Sequence, residues 1–178
     1  MNVFRALTVV AMMGLTALSA ADLSKVIEAK RWTPAECKAE TAGSALVVNM
    51  PVDHKAGEPK YPVGWPRIYL LKLLPGETNW SGAKAISFDF KLEFTGKTAQ
   101  YPVTFHVFWK APNTKKDPSV AIQMPPLKNN TVNKVVIPLD KVKNLSAVSG
   151  IGFNISEVKY KHGENMKFSV SNFKLITK

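Results

Sequence analysis

The sequence predicts an all-β domain made of antiparallel sheets, arranged as a sandwich or a barrel. Two neighbouring segments carry this prediction, because apolar residues alternate with mostly polar ones from Ile86 to Phe94 and again from Val103 to Trp109. A period of two places the apolar side chains on one face of a pleated strand and leaves the other face for solvent or a ligand. An antiparallel sheet with one covered face requires this pattern. Twelve prolines and ten glycines fit the same fold class.

The segments before this pair indicate two more strands. Ser44 to Met50 alternates in the same way, and Ile68 to Leu74 is a nearly continuous apolar run that ends at Pro75 and Gly76. A short helix is expected near Leu23 to Lys30.

The segments after the pair indicate four further strands, which brings the total to about eight. They are Val120 to Met124, Val132 to Leu139, Ile151 to Ile155 and a strand around Phe168 to Val170. The sequence shows no repeat and no internal linker, so we expect one domain from Asp22 to Lys178. Its predicted core includes Phe88, Phe90, Phe105, Val107, Ile137 and Phe153.

The first 21 residues have the features of an export signal. Arg5 supplies a short positive region, Ala6 to Leu18 form an apolar run, and Ser19 to Ala21 supply small residues for cleavage before Asp22. The apolar run is shorter than the roughly 20 residues that a membrane-spanning helix needs. We therefore expect a secreted or periplasmic protein without a membrane span.

The composition is basic, with a formal net charge of +11 at pH 7. Lysines spread along the chain keep a protein soluble and protect the edges of its sheets, and the excess charge also attracts anionic surfaces or polymers. Nucleic acid is not expected as a partner, because this exported chain has no recognisable nucleic-acid-binding motif. Cys37 is the only cysteine, so no disulfide can form within the chain, and a buried, inert thiol is the favoured interpretation.

The sequence does not predict a catalytic or metal site. His54, His106 and His162 stand far apart, and no two of them have metal-ligand spacing. Asp89 and Glu93 flank Lys91 on the outward side of a strand, which is the usual arrangement of a solvated face. Hydrolysis needs paired carboxylates or a nucleophile with its base, so we do not expect an enzyme.

Residues suited to binding a sugar are more evident. Aromatic rings stack on the apolar face of a pyranose, while amide and charged groups bond the hydroxyl groups at its rim. The candidate ligand-binding residues are Trp65, Arg67, Tyr69, His106, Gln123 and Asn154, with Tyr101 and Trp109 as further aromatic candidates.

The two most informative candidates each have a structural alternative. Trp65 stands in a proline-stiffened loop that presents an aromatic ring at low entropic cost, but it can instead clamp that loop against the core. His106 lies on the polar side of an apolar strand, where it can also be an ordinary hydrogen-bonded residue. Trp109 follows the core alternation, so burial is favoured for it, and Trp32 and Trp80 are expected in the core.

Five segments resemble, in the same order, the strands of a known family. The best match is Asn79 to Phe90, NWSGAKAISFDF, which is similar to a W-s-g-y-x-x-L-x-F-D-v stretch. The other segments are Gly43 to Val48, Asn133 to Leu139, Ile151 to Ile155 and Phe168 to Leu175. Together they resemble the galactose-binding-like jelly roll, especially the carbohydrate-binding modules appended to glycoside hydrolases.

The resemblance implies a jelly-roll β-sandwich that binds a glycan along its concave sheet or at a lip of loops. In this family the closing strand usually carries an aspartate that helps to hold a structural calcium. Here Ser171 stands in that place, followed by Asn172. Calcium prefers several carboxylate and carbonyl oxygens, so we expect no cofactor and do not favour a structural calcium.

The sequence therefore predicts an exported, non-catalytic protein that binds a polysaccharide, and its basic composition favours an anionic one. The alternative is a structural or protein-interaction jelly roll of the cell envelope without a sugar site, whose partner is an envelope protein. Exposed aromatic residues on one concave face would favour the first function. A smooth aliphatic face, with exposed apolar residues on an edge or loop, would favour the second.

Overall fold

The computed structural model describes residues 21–56, 60, 64–96, 103–155 and 160–177. Within these residues the chain forms ten β-strands and only short 3-10 helices. The strands are β1 (Thr33–Ala35), β2 (Lys38–Ala42), β3 (Ala45–Pro51), β4 (Arg67–Leu70), β5 (Ala83–Phe94), β6 (Thr104–Trp109), β7 (Ser119–Gln123), β8 (Val132–Pro138), β9 (Val148–Asn154) and β10 (Asn165–Thr177). No helix in this described part is long and apolar enough to cross a membrane.

The strands form two antiparallel sheets of five strands each. The front sheet has the order β1-β4-β9-β6-β7, and the back sheet has the order β2-β3-β10-β5-β8. The chain crosses repeatedly between the sheets, because strands that follow one another in sequence mostly belong to different sheets. The predicted jelly-roll sandwich is confirmed.

The alternating residues of the two sheets meet in one aromatic core. Phe88, Phe90, Phe105 and Phe153 are almost completely buried, and ring centroids in this group lie 5.2 to 6.4 Å apart. Val107 and Ile137 belong to the same cluster, so the predicted core set is confirmed. The tryptophans expected in the core, Trp32, Trp80 and Trp109, are buried as well.

The described residues contain ten strands rather than about eight, because β1 and β2 carry no sequence pattern. Both are edge strands with mostly exposed side chains, so neither has the alternation that marks a strand with one buried face. Near the start of the chain, where a single helix was expected, two 3-10 helices form at Ser24–Ile27 and Ala29–Arg31.

A buried ion pair fastens this N-terminal segment to the connection between β4 and β5. Both terminal nitrogens of Arg31 donate to the carboxylate of Glu77, at 2.8 and 2.6 Å, and the Glu77 residue is only 3% exposed. Glu77 also accepts a hydrogen bond from the backbone N–H of Leu74. A two-pronged, charge-assisted contact of this kind is stronger than a neutral hydrogen bond.

Cys37 is half-buried in the turn between β1 and β2. Its thiol donates to the backbone carbonyl oxygen of Arg67 at a sulfur–oxygen distance of 3.2 Å. Burial raises the pKa of the Cys37 thiol, which keeps the reactive thiolate scarce at neutral pH.

Candidate functional site

The pairing of the front sheet aligns polar residues in a row across its outer face. Residues that pair directly across antiparallel strands point to the same side of a sheet. Arg67 on β4 pairs with Asn154 on β9, Asn154 pairs with Thr104 on β6, and Thr104 pairs with Gln123 on β7. Residues far apart in sequence therefore share one surface.

The next row of the same face carries aromatic side chains. Tyr69 pairs with Gly152, and Gly152 pairs with His106, so the tyrosine and histidine lie on either side of the glycine. The Tyr69 ring lies edge-on to His106 and Phe108, with centroid distances of 5.5 and 5.4 Å. His106 and Phe108 are nearly parallel at 6.1 Å. We call these three half-buried rings the aromatic platform.

Gly152 makes this arrangement of rings sterically possible. A Cβ atom at position 152 would collide with ring carbons of Tyr69 and approach the carbonyl oxygen of Ile68. The Tyr69 ring can therefore lie across β9 only because the residue beneath it has no side chain.

His106 is held in a defined protonation form by Asn154. Its Nε2 atom lies 2.6 Å from the Oδ1 atom of Asn154, a residue that is only 8% exposed. Since a carbonyl oxygen can only accept, Nε2 carries the proton and Nδ1 is left as an acceptor. Burial lowers the pKa of His106, and the hydrogen bond to Asn154 opposes part of that effect, so the ring is neutral at pH 7.

Trp65 and Arg67 form a lip at one end of this face. The Trp65 residue is 57% exposed, and its backbone N–H donates to Glu36 Oε2 at 2.7 Å. The Arg67 guanidinium carbon lies 5.7 Å from the indole centroid, and Nη1 of Arg67 donates to the carbonyl oxygen of Trp65. The indole therefore extends from an anchored backbone beside a cation.

All the predicted ligand-binding residues lie on or beside the outer face of the front sheet. The His106 ring contacts the Tyr69 ring and forms a hydrogen bond with Asn154, and Arg67 pairs with Asn154 in the first row. Gln123 lies at the exposed edge, where its amide nitrogen donates to the carbonyl oxygen of Val103 at 3.3 Å.

Of the two further aromatic candidates, Trp109 does not join this group. Trp109 is 6% exposed and belongs to the core, and Tyr101 lies outside the described residues.

Two members of the site were not among the predicted residues. Phe108 supplies the third ring, and Gly152 supplies the space for Tyr69. The alternation in β6 does place Phe108 on the same side as His106, so its position was available from the sequence. The role of Gly152 depends on the pairing of β9 with β4, which no local pattern indicates.

In the part of the chain that the structure describes, the outward residues of the front sheet are mostly aromatic and polar. Its outward residues in the described strands include no aspartate or glutamate. Among the described residues, no group of three or more histidine, cysteine, aspartate and glutamate side chains is placed to hold a metal ion. The face instead combines three rings, one guanidinium and several amide or hydroxyl groups.

The sequence matches no protein-family profile and no curated protein, whereas the fold matches solved structures. A structure of carbohydrate-binding modules from the β-sandwich superfamily, described for their promiscuous specificity, gives a TM-score of 0.51 at 9% identity. That match covers 89% of this chain and 63% of the other. The solution structure of CtCBM11 gives a TM-score of 0.53 at 18% identity, over 83% of this chain and 88% of that module.

A third similar structure belongs to a larger protein. It contains the CBM22-1 and GH10 modules of endo-1,4-beta-D-xylanase 10B from Clostridium thermocellum in complex with xylohexaose, with a TM-score of 0.51 at 8% identity. The match covers 89% of this chain but only 28% of that one. This chain therefore has the fold of the β-sandwich carbohydrate-binding modules, and the expected resemblance is confirmed for the fold.

Proposed function

We propose that this protein is an exported, non-catalytic binding domain that holds a polysaccharide on the outer face of its front sheet. The observation that carries the proposal is the aromatic platform, which lies in the middle of a face whose described outward residues include no carboxylate. Sugar sites typically combine apolar surface with a few well-placed polar groups. This face has both.

The chemistry of the platform suits a pyranose ring. The rings of Tyr69 and Phe108 offer apolar surface to sugar C–H groups, while Nδ1 of His106 can accept a hydrogen bond from a hydroxyl group. No hydrogen bond to Nδ1 is formed among the described residues, since Asn154 bonds Nε2. Because packing and the Asn154 contact hold these rings, little side-chain entropy is lost when a ligand binds.

Arg67 favours a ligand with acidic groups. It is the one cation among the described outward residues of the front sheet, and these strand residues include no carboxylate, while Glu36 at the lip bonds the backbone N–H of Trp65. A guanidinium pairs with a carboxylate or sulfate through two aligned N–H donors. An acidic polysaccharide therefore fits the lip better than a neutral one.

Export belongs to the same proposal. Residues 1–21 are proposed as the leader, of which residues 1–20 lie outside the described residues. The domain would then act outside the cytoplasm, where polysaccharides of cell envelopes and extracellular matrices occur. The intact mass of protein recovered from the producing cells checks whether the chain begins at Asp22.

A glycan array read at two salt concentrations, followed by calorimetry on the best ligand, tests the function. His106→Ala and Trp65→Ala are expected to weaken binding by about fivefold or more, since truncating an anchoring residue costs over ~1 kcal/mol. Val136→Ala, on the outer face of the back sheet, is the matched control and is expected to bind as the wild type does.

Thermal unfolding of the same variants separates binding from folding. Trp80→Ala removes a buried ring and is expected to lower the melting temperature with or without ligand. If His106→Ala and Trp65→Ala both unfold the domain, or both bind with unchanged affinity, the platform and lip are not the binding site.

A protein-interaction function is the second candidate, and the edge of the back sheet favours it. Val132 and Val136 are 61% and 45% exposed on edge strand β8. Exposed apolar side chains on an edge are a common feature of protein contacts. Two results together would support this second function. They are a glycan array on which nothing binds, and an envelope protein that binds the wild type but not Val132→Ser.

A further inference from the structure

Three connections meet at one end of the sandwich. They are residues 71–82 after β4, residues 110–118 after β6 and residues 139–147 before β9. Backbone and side-chain hydrogen bonds tie them into one surface. These bonds are Trp80 N–H to Leu145 O (2.7 Å), Val148 N–H to Thr78 O (2.9 Å), Lys110 N–H to Ala147 O (2.8 Å) and Asn144 Nδ2 to Lys110 O (2.9 Å).

A groove of about 470 Å³ lies between these connections. Its volume falls within the range of about 300 to 1,000 Å³ that is usual for ligand sites. Two lysines, Lys72 and Lys110, line it together with the hydroxyl-bearing Thr78 and Ser146 and the apolar Leu71. We call it the lysine groove.

The lysine groove continues the platform. On the β4 side, Leu71 follows Tyr69 by two residues, directly after the strand ends at Leu70, whereas on the β6 side the pairing shifts between Phe108 and Trp109 before Lys110. Two residues of a strand advance about 6.5 Å, roughly the length of a sugar ring. The Leu71 residue is 53% exposed, so apolar surface extends from the platform to the groove.

The end of the sandwich that holds the groove is strongly positive. Besides Lys72 and Lys110, the three connections carry exposed lysines at positions 115, 116, 141 and 143, against one exposed acid at Asp140. Asp117 pairs with Lys110 at 2.9 Å, whereas no described carboxylate lies within ion-pair distance of Lys72. Glu77 is buried and already neutralised by Arg31. An exposed pair such as Lys110–Asp117 contributes little to stability, so Lys110 can share its charge with a ligand.

We propose that the lysine groove is a second subsite, which takes the carboxylate or sulfate groups of an acidic polysaccharide whose neighbouring sugar ring lies on the aromatic platform. The proposal rests on the function proposed above and deepens it by naming the ligand class. Lys72 and Lys110 supply the charge, Thr78 and Ser146 supply hydroxyl groups, and Leu71 supports the sugar between the two subsites.

The test compares an acidic polymer with its own neutral form and with a second acidic polymer of another backbone. The probes are polygalacturonate, its fully methyl-esterified neutral form and a sulfated dextran. Titrations are run at about 0.02 M and about 0.3 M sodium chloride, where screening of distant charges differs strongly. The wild type is expected to bind polygalacturonate more tightly than its neutral form at both salt concentrations, and sulfated dextran shows whether a sulfated polymer binds as well.

The double variant Lys72→Gln with Lys110→Gln is expected to bind polygalacturonate about fivefold to tenfold more weakly, with unchanged affinity for its neutral form. The matched control is Lys38→Gln with Lys174→Gln, which removes the same net charge from exposed positions of the back sheet. At the higher salt concentration this control is expected to keep wild-type affinity. Both double variants change only surface side chains, so melting temperatures should stay within a few degrees of the wild type.

Several results would overturn the subsite. They are equal losses in the two double variants, unchanged binding of the acidic probes by the groove variant, or equal wild-type affinity for acidic and neutral probes. If His106→Ala weakens binding of both the neutral and the acidic probe while the groove variant binds the acidic probe as the wild type does, the platform function stands and the lysine groove alone is wrong. Loss of binding to phosphatidylserine vesicles in the groove variant, with no polysaccharide bound by the wild type, would instead assign the groove to a membrane surface.

Discussion

The Tyr69 ring lies across β9 at the point where Tyr69 pairs with Gly152. A methyl group at position 152 would overlap this ring, so Gly152→Ala is expected to push Tyr69 off the platform. Glycan affinity should then fall by about tenfold. The free energy of unfolding should fall by about 1–3 kcal/mol, as is usual for overpacking. Calorimetric titration and urea denaturation measure the two effects.

Gly76→Ala is the control for this substitution. No atom outside the neighbouring residues lies within 4 Å of a Cβ atom at position 76, so the methyl group there meets open space. Affinity and stability should stay near the wild-type values. Equal losses of affinity at positions 76 and 152 would show that the Tyr69 ring is not what Gly152 positions.

His106 gives the fold a defined dependence on pH. Because burial lowers its pKa, the unfolded chain binds a proton in a pH range where the folded chain does not. The free energy of unfolding should therefore decrease as the pH falls below about 6.5, the ordinary pKa of histidine, and level off once the folded form is protonated as well. The contribution of His106 to the free energy of unfolding is thus greatest at neutral pH.

The measurement compares the wild type with His106→Gln, whose side chain stays neutral. Urea denaturation between about pH 5 and about pH 7.5 gives the free energy of unfolding of each protein. The difference in the free energy of unfolding between the wild type and the variant should become smaller toward low pH. A difference that stays constant over this range would mean that His106 does not titrate differently in the folded state.

The N-terminal segment depends on a contact that lies far away in sequence. Arg31→Met removes the partner of the buried Glu77 carboxylate, and breaking a buried pair on one side costs about 3–5 kcal/mol. We expect a loss of this size in chemical denaturation. Lys30→Met is the matched control, because Lys30 is 83% exposed and lies 3.6 Å from Glu28, and it should change stability by less than about 0.5 kcal/mol. Similar losses in the two variants would contradict a special role for Arg31.

Among the strands, those with one buried face were predictable from local sequence. The alternation in β5 and β6 identified both strands, because half of each strand must avoid water. Strand β9 was harder, since all of its residues from Val148 to Asn154 are buried and it therefore shows no alternation at its start. In β10 the residue pairing shifts between Ser171 and Lys174, where Asn172 has a positive φ of 55°. This irregularity interrupts the period of two, so the strand was predicted too short.

The candidate site was predictable residue by residue but not as an arrangement. The residue types of Tyr69, His106 and Asn154, and the polar side of the strand on which His106 lies, marked them as candidates. That they meet depends on the register that aligns β4, β9 and β6. Register is decided by the whole buried face of a sheet, which a local window does not contain.

The molecule as a whole separates its charges by surface. The described outward residues of the front sheet carry one cation and no acid, whereas the back sheet mixes both signs, with Glu93 paired to Lys91 and Lys167. The three connections at the groove end add a cluster of lysines. Part of the net charge of +11 is therefore gathered at the groove end of the front face, while Arg67 supplies the cation at the lip, and both attract anionic polymers.

Strand β8 has a consequence for how the protein behaves when it is crowded. An uncovered sheet edge with two exposed valines is a template on which a second copy can add a strand and begin a fibre. Lys134, the one charged residue of β8, lies between Val132 and Val136 on the same face, and Pro138 at the end of the strand lacks a backbone N–H group. Lys134 is thus the charge that opposes strand addition along this edge, and acylation of that lysine is expected to favour association through β8 without any change in the folded domain.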